Sequence, residues 1–221
     1  MLTLPPTIIM YCRNVWQEAF TEMHHTVRNI IFQQNLPDED DFVFDVKSHT
    51  ICVIDDLMDD GVNSQTLQTM FCVLTHHTLT SIIFVVQNIY KKGSVMRAIS
   101  LNAHVFFIFR NARDVTQIAV LTRQMYPRST KLLMDAYNCS TSGPYNCLIV
   151  DISPSSDRRF QLRSHVFPGQ DVSVYFPKKW VIQKLSVPFF RFSQFSGCWL
   201  ILSVSIIMSF GFPFVRLFGV R

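Results

Sequence analysis

The sequence predicts an α/β fold built on a parallel sheet covered by helices on both faces. Short apolar runs recur at residues 7–12, 50–54, 81–86, 104–109 and 147–152. Stretches with helical spacing of apolar residues separate them. Runs that stay apolar throughout, rather than alternating, suit strands buried on both faces, as parallel strands are.

The elements follow in order. Residues 7–12 (TIIMYC) are short, β-branched and apolar, a buried strand. Residues 15–33 place Trp16, Ala19, Phe20, Met23, Val27, Ile30 and Ile31 at helical spacing, so one helix is expected across them. Residues 36–41 (LPDEDD) form an acidic turn. Residues 50–54 (TICVI) make a second strand, which ends in Asp55-Asp56. A helix over 64–76 carries Leu67, Met70, Phe71 and Leu74 on one face. Residues 81–86 (SIIFVV) are a third strand ending in Gln87-Asn88. The basic loop Lys91-Lys92-Gly93 and a short helix lead to the fourth strand, 104–109 (HVFFIF). Helices over 113–125 and 131–137 precede a turn at Ser142-Gly143-Pro144 and a fifth strand, 147–152 (CLIVDI). No internal repeat is present.

The 221 residues leave room for one ordinary domain. Charge is unevenly spread. Residues 1–60 hold three Lys/Arg against eleven Asp/Glu, and residues 61–180 hold thirteen against five. Residues 181–221 hold four basic residues, no acidic ones, and eight of the twenty Phe. This shift sets an expected boundary near residue 180, between a domain and an apolar tail. The basic middle is compatible with a polyanionic partner. Six cysteines without C-x-x-C spacing read as reduced, buried thiols of a reducing compartment. The N-terminus lacks a basic n-region, and Pro5-Pro6 interrupt its apolar run, so no secretory signal is expected.

The densest chemistry lies at residues 51–56 (ICVIDD). An apolar strand that delivers two acids at its carboxyl end matches a Walker B element. Ligands of open α/β sheets bind outside those ends. There Asp55 can hold Mg²⁺, and Asp56 can orient and deprotonate an attacking water. A strand running into an acidic loop is the plain alternative, since Asp59 and Asp60 follow. Gln87 offers an amide that can sense a γ-phosphate, or simply starts a turn. Arg110 and Arg113 can act on a neighbouring subunit's nucleotide, or sit at a solvated helix start.

Together, VIDDLMDD (53–60), HHTLTSIIFVVQN (76–88), ISLNAHVFFIFRNARD (99–114), RQMYP (123–127) and CLIVDI (147–152) resemble the FtsK/HerA-type DNA-packaging ATPases of Maverick/Polinton elements, adintoviruses and their poxvirus and giant-virus relatives. The resemblance spans roughly residues 5–170. It implies a P-loop NTPase sheet, Mg²⁺ and ATP as cofactors, double-stranded DNA as substrate and a homo-oligomeric ring. It assigns Mg²⁺ binding to Asp55, the catalytic carboxylate to Asp56, the sensor to Gln87 and the inter-subunit arginine to Arg110 or Arg113. It implies an intracellular setting: cytoplasm, nucleus or viral factory.

Two departures stand out. Family members often carry a basic residue where Thr78 follows the His-His pair. The phosphate-binding pattern G-x-x-x-x-G-K-[ST] should precede residue 7, but the first of the seven glycines is Gly61. The resemblance places the phosphate-loop strand centrally, between residues 81–86 and 104–109. Without it those strands lose a partner or must pair with each other, and weak or no hydrolysis is expected of the chain alone. A truncated gene model or a decayed viral element would have this pattern.

Residues 192–215 carry no charge and are long enough for a transmembrane helix, unless they are sequence unrelated to the family. A non-enzymatic interaction protein or membrane-anchored protein, retaining part of the fold, is therefore the alternative function. His24-His25 and His76-His77 have poor metal-ligand spacing on a helix. Arg158, Arg159 and Arg163 can touch DNA phosphates or decorate a solvated hairpin.

Overall fold

A computed structural model describes residues 7–37, 49–154, 156–166, 170–176 and 199–202. The fold is α/β. Strands β1 (Ile8–Arg13), β2 (Ile30–Gln34), β3 (Thr50–Ile54) and β4 (Thr80–Val86) form a parallel sheet in the order β2-β1-β3-β4. Strands β5 (Val105–Phe109), β6 (Cys147–Asp151), β7 (Leu162–Ser164) and β8 (Ser173–Val174) pair antiparallel in sequence order. Strand β9 (Trp199–Leu202) lies between β4 and β5, parallel to both, and joins the two parts into nine strands.

The helix expected over 15–33 is two elements. Helix α1 (Glu18–Thr26) stops where Val27 turns extended and Asn29 takes a φ of 60°. Ile30-Ile31-Phe32 then pairs with β1 as strand. β-Branched residues stiff at χ1 favour the strand once a neighbour offers its hydrogen bonds, and tertiary pairing overrides the helical spacing.

A crowded crossover leads from β3 to β4. Helix α2 (Met58–Gly61) is followed by α3 (Gln65–Thr69), a π-helical turn (Met70–Leu74) and α4 (Thr75–His77). Ser64 starts α3 by accepting a hydrogen bond from the Leu67 N–H at 3.1 Å. Gly61 is required by closeness, since a Cβ there would sit 3.1 Å from the Phe84 ring and 3.0 Å from Leu67. Gly93, at φ +152°, turns the chain into α5 (Ser94–Asn102), which leads to β5.

The fifth strand, read from sequence as part of a parallel sheet, instead runs antiparallel to β5. Two helices, α6 (Thr116–Met125) and α7 (Thr130–Ser140), connect them. One helical pass carries a chain to the far end of a sheet, and a second pass brings it back. β6 therefore starts at the end where β5 finished.

One face of the sheet carries the larger core. Ile54, Phe84, Ile82 and Ile108 pack there against Leu67, Met70, Phe71, Met96, Ile99, Ile118 and Leu133 from the helices. The other face has a smaller core of Tyr11, Phe20, Met23, Ile30 and Val53 beneath α1. Cover on both faces thus holds over β1–β3. Over β5 and β6, a third cluster of Val105, Cys147 and Ile149 draws on no helix among the described residues.

Residues 81–86 and 104–109 neither lie open nor pair with each other. The backbone of β9 bonds both, with Phe84 abreast of Leu200 and Leu200 abreast of Phe106. Unpaired backbone groups at a buried strand edge are costly, which gives an apolar segment a strong reason to enter. Residues 199–202 are accordingly strand, within a stretch whose sequence allows either a transmembrane helix or a segment unrelated to the family. The rest of 192–215 lies outside the described residues, among which no helix is long and apolar enough to cross a membrane.

Candidate functional site

Because β2, β1, β3, β4, β9 and β5 are parallel, their carboxyl ends share one edge of the sheet. Asp55 and Asp56 follow β3 directly, Gln87 follows β4, and Arg110 follows β5. Ile54 is abreast of Phe84, so Asp55 is level with Val85 and Gln87 lies two residues beyond. Side chains alternate along a strand, which puts Asp55 and Gln87 in phase on the face that α1 covers.

Asp55 is half-buried, and its partner is Tyr11. The Tyr11 phenol donates to Asp55 Oδ2 at 2.7 Å. Tyr11 is 1% exposed and wedged against Phe20 and Phe32, with ring centroids at 5.1 and 5.7 Å. The Asp55 backbone N–H donates to the Cys12 carbonyl at 2.9 Å, tying the strand end to β1. Burial pushes the Asp55 carboxyl above the usual carboxylate range. The Tyr11 hydrogen bond opposes that rise, and the neighbouring Asp56 charge adds to it. Burial also pushes the Tyr11 phenol up, and the Asp55 charge pushes it further. Among the described residues no Lys or Arg pairs with Asp55.

Asp56 leaves the strand. It is exposed, with φ at 55°, and its carbonyl accepts a 3.5 Å contact from Asn14 Nδ2. Leu57, fully buried, then anchors the chain. Asp59 pairs with Lys91, linking the ends of β3 and β4. Gln87 is exposed, and among the described residues no hydrogen bond joins it to either acid. The following loop is held by Gln117, whose Oε1 accepts the Ile89 N–H at 3.1 Å while its Nε2 donates to Asp114 at 2.8 Å.

Arg110 and Arg113 stand apart from the acids. Between β3 and β5 lie β4 and β9, so three strand spacings, roughly 14 Å, separate the two strand ends. Asn111 organises this loop. Its Oδ1 accepts the Arg113 and Asp114 N–H groups, and its own N–H donates to Tyr137 Oη at 2.8 Å. Arg110 lines an open cavity of about 490 Å³ with Asn111, Tyr137, Asn138 and Thr141. No family model, curated protein or solved structure matches the chain.

The opposite edge of the sheet holds a second polar group, which joins Arg163, read from the sequence as a phosphate contact or a solvated residue, to Asp151, which that reading did not single out. Asp151, buried at the end of β6, pairs with Arg163 Nη2 at 2.5 Å and takes the Ser153 hydroxyl. The Arg163 side chain faces this carboxylate, and Arg159 pairs with Asp157 at 2.6 Å. His104 lies nearby with a buried, unpartnered Nδ1, its ring 6.4 Å from that of His76. Burial pulls the His104 pKa down, as does His76, while Asp151 works the other way.

Mg²⁺ commonly takes one or two protein carboxylates and completes its shell with water and phosphate oxygens. Asp55 fits that requirement as a single-carboxylate ligand. No cluster of three or more His, Cys, Asp or Glu side chains exists among the described residues to hold a metal unaided. Any cation there depends on a ligand that brings its own oxygens.

Tyr11 and Gln117 are the residues that sequence reasoning missed. Tyr11 sits inside an apolar strand and reads as core, and its partner is 44 positions away. Gln117 occupies a helix position that reads as an ordinary solvated one. Neither leaves a local signal.

Proposed function

We propose that this chain carries the carboxylate and sensor part of an ATP-driven double-stranded-DNA packaging motor of the FtsK/HerA type, without a phosphate-binding loop in its sequence. In this reading Asp55 is the Mg²⁺ ligand, Asp56 the water-orienting carboxylate and Gln87 the γ-phosphate sensor. Arg110 or Arg113 serves a neighbouring subunit's nucleotide within a ring.

The observation that carries the reading is the strand order. The acid-bearing strand is next to the glutamine-bearing strand, and a position one strand wide separates the latter from β5. That position is where the resemblance puts the phosphate-loop strand. Here β9 takes it, and the sequence after residue 202 contains no G-x-x-x-x-G-K-[ST]. These 221 residues therefore supply neither the backbone N–H cradle nor the lysine that would hold the phosphates. Asp55 and Asp56 keep the chemistry of a Mg²⁺-nucleotide site, with weak affinity and no efficient turnover.

ATP hydrolysis measured with and without DNA tests the reading. The chain should show no more turnover than its Asp56→Asn variant. A version in which residues 199–202 are replaced by a strand and loop containing G-x-x-x-x-G-K-[ST] should gain hydrolysis that Asp56→Asn abolishes. Gain that is indifferent to Asp55 and Asp56 would remove the motor reading.

A further inference from the structure

The contact between Tyr11 and Asp55 has no place in the roles given above. The two residues come from different strands. Tyr11 is abreast of Val53, and Asp55, just past the end of β3, is the next residue on that face, so the phenol crosses diagonally to reach it. The phenol has no rotational freedom to go elsewhere, because its ring is packed against Phe20 and Phe32. A phenol O–H is a single donor. Pointed at an aspartate, it engages one carboxylate oxygen; the Asp56 backbone N–H supplies a second hydrogen bond, and of about four lone-pair sites on the carboxylate others remain to accept from elsewhere. Buried carboxylates in apolar surroundings normally find a cation, and here the described neighbours supply none.

We propose that Tyr11 is the positioning residue of this site, its hydroxyl fixing the Asp55 carboxylate so that the second oxygen can ligate a divalent cation. The inference rests on the role proposed for Asp55. Tyr11 touches neither cation nor nucleotide, and it acts only through the carboxylate it holds. Partners of this kind change metal affinity by about 10–100-fold when removed. The titratable groups facing Asp55 are Asp56 beside it and Tyr11 from β1, with Arg13 two residues further along that strand.

The test uses the full chain with carboxyl-labelled aspartate and Mn²⁺ with ATP as the probe, the nucleotide supplying the oxygens that one carboxylate cannot. Tyr11→Phe keeps the ring and removes the donor. The Asp55 carboxyl resonance should then titrate at higher pH, by on the order of one unit, and Mn²⁺ affinity by electron paramagnetic resonance should fall about 10–100-fold. An Mn²⁺ affinity unchanged in Tyr11→Phe overturns the inference. Should that variant not fold, the wild-type protein gives the answer. A slowly exchanging Tyr11 hydroxyl proton whose resonance follows the Asp55 titration supports the inference, and its absence overturns it. Asp55→Asn keeps the two ideas separate. Equal Mn²⁺ binding by Asp55→Asn and wild type defeats the metal role of Asp55 and the inference with it, whereas binding lost in Asp55→Asn but kept in Tyr11→Phe defeats the inference alone.

Discussion

Asp55 is half-buried and Asp151 buried, and the two ends of the sheet treat the two carboxylates differently. Asp151 has a guanidinium at 2.5 Å and a serine hydroxyl, so its charge is neutralised within the chain. Asp55 has a phenol, the backbone N–H of Asp56 and, in the Asp56 side chain, an acid for a neighbour, with no cation among the described residues. A fixed counter-charge makes a carboxylate part of the scaffold. A carboxylate kept without one is held at a cost, and such sites are where a ligand can supply what is missing. The difference follows the topology. Asp55 lies where parallel strands open outward, and Asp151 lies where β7 folds back beside β6.

Both ends belong to one sheet only through β9, which makes the largest test. Ile201→Pro removes a ladder donor in a central strand, and it should lower stability by on the order of 3 kcal/mol in chemical denaturation. Hydrogen exchange should then show residues 105–151 opening apart from residues 8–86. Unchanged protection would show that the halves do not need the strand. Arg163→Met comes next. It leaves Asp151 buried beside an apolar chain, and about 3–5 kcal/mol should be lost at neutral pH. Loss below 1 kcal/mol would mean Asp151 is no more dependent on its partner than Asp55 is.

Asp55→Asn should act in the opposite sense. With its folded-state pKa raised, the carboxyl binds protons in the native state that the unfolded chain has already released. Native stability is therefore reduced as pH rises above the ordinary carboxylate value of about 3.9. Removing the charge should raise stability at pH 7, and the gain should vanish as pH falls to about 4. A destabilised Asn variant would show that the site prefers its charge.

The smallest effect is expected at His104. Its folded-state pKa is lowered, so it adds stability above the unfolded value of about 6.5, and that stability is lost as pH falls below it. His104→Gln should flatten the stability profile between about pH 6.5 and 5, read by thermal melts. An unchanged slope would assign the acid sensitivity of this end to other groups, His49 among them.

Apolar runs and their order were enough to reveal β1, β3, β4, β5 and β6, since a strand buried on both faces has to be apolar along its length. The same rule exposed the carboxyl-end residues Asp55, Asp56, Gln87 and Arg110, because a polar residue that ends such a run is conspicuous. Ile30-Ile31-Phe32 was misread as helix, because apolar spacing carries no information about which neighbour is free to pair. The direction of β6 depended on two helices in place of one.

What the sequence determined by itself is five of the strands, the acids at the end of one of them and the absence of G-x-x-x-x-G-K-[ST] from these 221 residues, all of which are local patterns. Tertiary structure alone decided that Tyr11 meets Asp55 across 44 residues, that Asp151 meets Arg163, and that residues 199–202 close the sheet between β4 and β5. These are choices among distant partners. They depend on which backbone edges and buried charges remain unsatisfied once the neighbouring elements are in place, and no local window of residues contains that.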